Sequence, residues 1–162
     1  MGLGLSVNGK SCGSWSYSGF MEFRKKIAAR AGIELNNMEG FSAVDKSILY
    51  EQGFSAYRKA CEEEDLSQKI SWDTISDPIK TLLCHSDCDG EIRPEDCAFL
   101  ADRLEEIIKD WPKETHLEPP ESWQTIGYPS HMIFADYDFQ QATRLIAGLR
   151  EAFITNMPVE FH

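Results

Sequence analysis

Basic residues are scarce in this chain. Lys and Arg number 16 against 27 Asp and Glu, a net charge of −11 over 162 residues. Such a surface repels phosphate, so direct binding to nucleic acid or to an anionic membrane is not expected. No apolar run approaches the ~18 residues that a membrane span needs. The opening, Met1-Gly-Leu-Gly-Leu-Ser-Val-Asn8, has no basic region and too short an apolar run for a signal peptide. Paired CxxC knuckles are also missing. The five cysteines stand at 12, 61, 84, 88 and 97, an odd number without framework spacing, which suits reduced thiols in a cytoplasm. There is no P-loop, no G-x-G-x-x-G after a strand, no G-x-S-x-G and no H-E-x-x-H, so enzymatic activity is not expected. Internal repeats and low-complexity segments are absent too.

What is present argues for one folded domain. Hydrophobic residues make up 42% of the chain, with nine Phe, five Tyr and four Trp, enough to build a core without staples. The densest functional stretch is 84–97, Cys-His-Ser-Asp-Cys-Asp-Gly-Glu-Ile-Arg-Pro-Glu-Asp-Cys. It is an acidic turn between two apolar segments, and it admits three readings. As a metal loop, His85, Asp87, Asp89 and Asp96 fall at positions one, three, five and twelve of a degenerate EF-hand, with Gly90 at six; calcium or zinc would be the ion. Position one is a nitrogen donor, and position twelve is a short Asp. As a structural turn, Asp89-Gly90 bends the chain, Ser86 and Asp87 bond local N–H groups, and His85, Cys88 and Cys97 pack. As a catalytic site, a Cys–His pair is conceivable, but no nucleophile pattern surrounds it. The structural reading is favoured, with no cofactor.

Periodicity predicts a mainly α domain, α+β with a minor N-terminal β element. Leu3-Gly-Leu-Ser-Val7 alternates as a short strand ending at the turn Asn8-Gly9. Residues 11–18 read as a loop. A helix follows from Ser18, its N-cap, with Phe20, Phe23, Ile27 and Ala31 on one face and Gly32 as the stop. Residues 43–64 read as helix divided at Gly53, with Tyr50, Phe54, Tyr57 and Cys61 as the apolar stripe. A short helix starts at Ser76-Asp77-Pro78. Pro94 opens the clearest helix, carrying Cys97, Leu100, Leu104, Ile107 and Trp111 at three- and four-residue steps. Residues 112–131, with four Pro, read as a long surface loop tying down Trp123 and Tyr128, and 132–134 as a possible strand. The last helix, from Asp136 or Asp138 to Asn156, has Phe139, Ala142, Ile146, Leu149 and Phe153 as its stripe.

Two blocks carry a resemblance. His85-Ser-Asp-Cys-Asp-Gly-Glu91, with Pro94-Glu95 and Cys97 behind it, resembles a block of small immunity proteins from bacterial polymorphic toxin systems and of related phage and bacterial proteins. So do Gly13-Ser-Trp-Ser-Tyr-Ser-Gly-Phe20, Phe23-Arg24 and the Met-Gly-Leu start. The blocks span 1–30 and 79–108, about a third of the chain. The chain departs at Ile92, where the pattern carries an aromatic, and by an insert at 40–75. The resemblance implies a non-enzymatic cytoplasmic protein that neutralises a toxin or, in phage anti-defence, a defence effector by direct contact. The acidity suits a basic protein partner. Asp87, Asp89 and Glu91 are the candidate contacts, along with the 40–75 insert and the 112–131 loop. A sponge for a small signalling nucleotide would need a cationic cluster, for which Arg24-Lys25-Lys26 is the candidate.

Overall fold

The computed structural model describes residues 2–86, 89–124, 126–127 and 131–162, with the backbone alone at 123–124. The chain opens with β1 (Gly2–Val7), a tight turn at Asn8-Gly9 with positive φ at both residues, and β2 (Lys10–Ser16). It runs without a loop into α1 (Tyr17–Arg30). After an excursion containing α2 (Ser47–Gln52) and α3 (Phe54–Glu62) come the single turn α4 (Lys80–Leu83), β3 (Gly90–Ile92) and α5 (Pro94–Ile108). A hairpin of β4 (Glu114–Leu117) and β5 (Met132–Ala135) flanks the short α6 (Glu121–Gln124). Then α7 (Tyr137–Thr155) and β6 (Val159–Phe161) close the chain.

Four strands form an antiparallel sheet in the order β2-β1-β6-β3. Its inner face carries Leu3, Leu5, Val7, Trp15, Ile92, Val159 and Phe161, all buried. Against this face pack α1 and α7, α5 packs on α7, and one continuous core results. Gly148 lets α7 approach β2 closely: a Cβ there would lie 2.3 Å from the Cβ of Cys12. The outer edge of β2 is closed by side chains of α7. The Ser14 N–H donates to Oε1 of the buried Gln141 at 2.9 Å, and the Tyr137 hydroxyl donates to the Ser14 carbonyl. No helix among the described residues is long and apolar enough to cross a membrane.

The expectation of a mainly α domain is overturned. The fold is α+β, with 51% helix, 19% strand and two antiparallel sheets among the described residues. Apart from β5, which matches the strand expected at 132–134, the strands beyond β1 lack a sequence signal for physical reasons. Serine and glycine occupy much of β2, because Gly13 must leave room for the Trp15 ring. The strands β3 and β6 have three residues each, too short for alternation to register. The strand β4 is exposed along its whole length and so has no apolar face. The expected 112–131 loop contains β4 and α6. Tyr128 and the Trp123 side chain lie outside the described residues. The α1 cap also moves: Gly19 N donates to Ser16 Oγ at 3.0 Å, since the strand reaches Ser16 and leaves no loop before the helix.

The segment 39–78 is the largest departure from an ordinary core-packed chain. Met38 and Ile79 are buried, and no residue between them is. Gly53, at φ +90°, separates α2 from α3 as expected. The predicted stripe does not face inward, however. Tyr50 is 83% exposed and Phe54 70% exposed, while Tyr57 and Cys61 are half-buried. This arm is fastened at its base by the Met38–Ile70 bridge, by Phe41 edge-on to Trp72 and by Trp72 Nε1 donating to the Glu39 carbonyl. Lys69 Nζ also donates to Glu64 at 2.6 Å.

Candidate protein-binding surface

Three elements position the acidic turn. Arg24 leaves α1 inward, almost fully buried, and its Nη1 donates to the carbonyls of His85 at 2.9 Å and Leu83 at 3.4 Å. Its guanidinium also lies 4.7 Å from the Phe20 ring and 5.2 Å from the Phe41 ring, so one cation ties α1, the turn and the arm together. From the sheet, Phe161 stacks on the His85 ring, with centroids 3.8 Å apart. Gly90 lies beneath that ring, and a Cβ there would stand 3.0 Å from His85 Cε1.

The expected site residues therefore separate. His85 is packed, and its Nδ1 is 2.7 Å from the Ser86 carbonyl. Asp89 accepts from Ser86 Oγ at 3.3 Å and shapes the turn. Asp96 is bonded by Arg93 at 3.0 Å and 3.2 Å. Asp87 lies outside the described residues. Among the described residues no group of three His, Cys, Asp or Glu side chains is placed to hold a metal. Cys97 is buried, its thiol donates to the Arg93 carbonyl at 3.3 Å, and loss of solvent pushes its pKa up to about 11. A thiolate is therefore scarce there at neutral pH. The Arg24-Lys25-Lys26 run does not converge on a ligand: Arg24 turns inward, Lys25 meets Glu22 at 2.9 Å, and Lys26 meets Asp138.

Glu91 has a different environment. It stands directly opposite Glu160 in the β3–β6 ladder, and both are exposed. Like charges facing each other across strands destabilise a sheet. Neither carboxylate has an ion-pair partner among the described residues.

Beyond β3, the outward face of α5 continues the acidic surface. Three arginines each serve two carboxylates: Arg93 with Glu95 and Asp96, Arg103 with Asp77 and Glu106, Arg150 with Asp102 and Glu105. Three positive charges thus meet six negative ones. At the centre is Phe99, 69% exposed. Residues 95, 96, 102, 103 and 106 are its helical neighbours, so the ring projects from a girdle of charge. The Arg150–Asp102 contact sets the register of α5 against α7. Phe99 lies one turn before Asp102, and Phe153 lies one turn past Arg150, at the same end of the helix pair. Phe153, Ile154 and Met157 are all exposed there. Sequence periodicity had placed Phe153 in the core stripe of α7. Ala142, Ile146 and Leu149 are indeed buried, as is Ala152 in the last turn, but Phe153 is half exposed. Phe99 gave a usable signal: it is a large aromatic on the side of α5 opposite Cys97, Leu100 and Leu104.

No family model, curated protein or solved structure matches this chain.

Proposed function

We propose that the protein is a non-enzymatic, acidic binding protein of the immunity type, cytoplasmic, which neutralises a basic toxin or defence effector by direct contact. The observation that carries this reading is the α5 face: an exposed Phe99 ringed by carboxylates that outnumber their arginines, beside the unneutralised Glu91–Glu160 pair. Exposed aromatics bounded by polar groups are the usual anatomy of a binding hot spot. The excess negative charge selects a cationic partner and speeds its association in low salt. The resemblance of the 85–91 block to immunity proteins points the same way.

The test is capture of host proteins on the immobilised chain at low and high salt, identified by mass spectrometry. Parallel columns carry Phe99→Asp and the double change Glu91→Lys with Glu160→Lys. A stoichiometric basic protein should bind the parent, elute with salt and be lost from both variants. Truncating a central aromatic anchor costs about 2 kcal/mol, so Phe99→Ala should weaken binding by about 30-fold. Identical capture by all columns, or turnover of a substrate by the purified chain, would overturn the proposal.

A further inference from the structure

On the β4–β5 hairpin two imidazoles meet. His116 lies within β4 and His131 immediately precedes β5. The register pairs His116 with Ile133, so His131 is its diagonal neighbour across the ladder. Nδ1 of His116 and Nε2 of His131 are 3.1 Å apart, and both residues are exposed. We infer that this pair is a binding site for a divalent transition-metal ion, zinc being the representative.

Two nitrogens held about 2.0–2.1 Å from one tetrahedral zinc ion lie roughly 3.3 Å from each other. The hairpin already holds its two nitrogens close to that separation, in a contact that requires one proton between them. An ion replacing that proton needs little backbone movement. Imidazole nitrogens suit zinc, copper and nickel; calcium and magnesium take oxygen and are not expected to bind. Among the described residues no third His, Cys, Asp or Glu completes a cluster here, so water fills the other positions. The site is then exchangeable and far weaker than a closed structural site, which binds zinc with about 10–16 kcal/mol.

The placement gives the ion something to do. The hairpin is anchored at its α7 end, where the Asp136 N–H donates to the Lys113 carbonyl at 2.8 Å and Thr115 Oγ1 donates to Asp136 at 3.0 Å. Neither strand has a buried residue, and an isolated two-stranded ribbon is marginal in water. The imidazole pair sits toward the opposite, loop end. A metal there staples the two strands and fixes the exposed Leu117, Ile133 and Phe134 in one arrangement.

Isothermal titration of the full chain with zinc alone tests this. Parent and Asp89→Ala should bind one ion. His116→Ala and His131→Ala should each bind at least about tenfold more weakly. Amide exchange of residues 114–117 and 132–135 should slow with zinc in the parent and in Asp89→Ala, and not in the histidine variants. Circular dichroism of the four proteins should coincide, since the substituted side chains are exposed. Equal zinc binding by both histidine variants, or loss on Asp89→Ala instead, would place the metal elsewhere and overturn the inference. So would the absence of saturable binding by the parent below about 1 mM.

Discussion

Gly148→Ala tests how tightly the sheet and α7 are fitted. In an exposed helix interior this change stabilises by about 1 kcal/mol. Here the new carbon would stand 2.3 Å from Cys12 Cβ and 2.8 Å from its Sγ. Carbons pack at about 3.5–4.0 Å, so β2 and α7 must part by more than about 1 Å. Overpacking of this kind costs about 1–3 kcal/mol. Parting also stretches the Ser14–Gln141 and Ser14–Tyr137 bonds that close the edge of β2. The clash and the stretched bonds together outweigh the propensity gain, so a net loss of about 1–2 kcal/mol is expected. Urea denaturation should show the midpoint falling by roughly 0.5–1 M at an unchanged slope. The partner change distinguishes the mechanism. The nearest atom is a Cβ, so Cys12→Gly should couple favourably with Gly148→Ala by about 1 kcal/mol in a double-mutant cycle, and Cys12→Ala should not. A Gly148→Ala protein as stable as the parent, or rescue by Cys12→Ala, would refute the reasoning.

Arg24→Met should destabilise by about 2–3 kcal/mol, because two carbonyls at the end of α4 lose a cationic donor; a change under about 0.5 kcal/mol in urea unfolding would contradict the tethering role. Acid should loosen the arm. Lys69, with the Ala43 N–H and Ser42, holds the Glu64 carboxyl at about 2, below its ordinary 4.5. Its stabilisation is therefore complete above about pH 4.5 and lost as pH falls toward 2. Amide protection over 39–78, taken relative to intrinsic exchange rates, should fall in that window in the parent, and Glu64→Gln should reduce that fall. Burial pushes the Cys12 and Cys97 thiols up to about 11, so native alkylation at pH 8 should spare both until the chain unfolds. Mass-spectrometric detection of Cys97 modified as fast as a free thiol would reopen a nucleophilic role.

Sequence periodicity was reliable where a segment packs on the core with an uninterrupted face. Cys97, Leu100, Leu104, Ile107 and Trp111 repeat at helical steps, and all five are buried. Asn8-Gly9 and Gly53 mark real breaks because their positive φ is a local property. Periodicity misled where amphipathicity and burial part company. Tyr50 and Phe54 have helical spacing but no neighbouring layer to enter, and Phe153 is exposed although Ala152 beside it is buried. The acidic turn was visible as composition, yet its supports were not. Arg24 reaches it from 61 positions away and Phe161 comes from the last strand; neither carries a local signal. The ring of carboxylates around Phe99 depends partly on Asp77 and Arg150, which only the folded chain brings to α5.

The unburied stretch between Met38 and Ile79 also bears on how freely the sequence can change. A substitution in a core leaves a cavity or a clash, and either is felt throughout the domain. Exposed positions of the arm away from its fastenings have no such link to the rest of the molecule, and most replacements there should shift stability by less than about 0.5 kcal/mol. Positions such as Tyr50 and Phe54 can therefore be exchanged while the sheet, α5 and α7 keep their geometry. The fold thus carries a region whose surface chemistry can be rewritten without renegotiating its core.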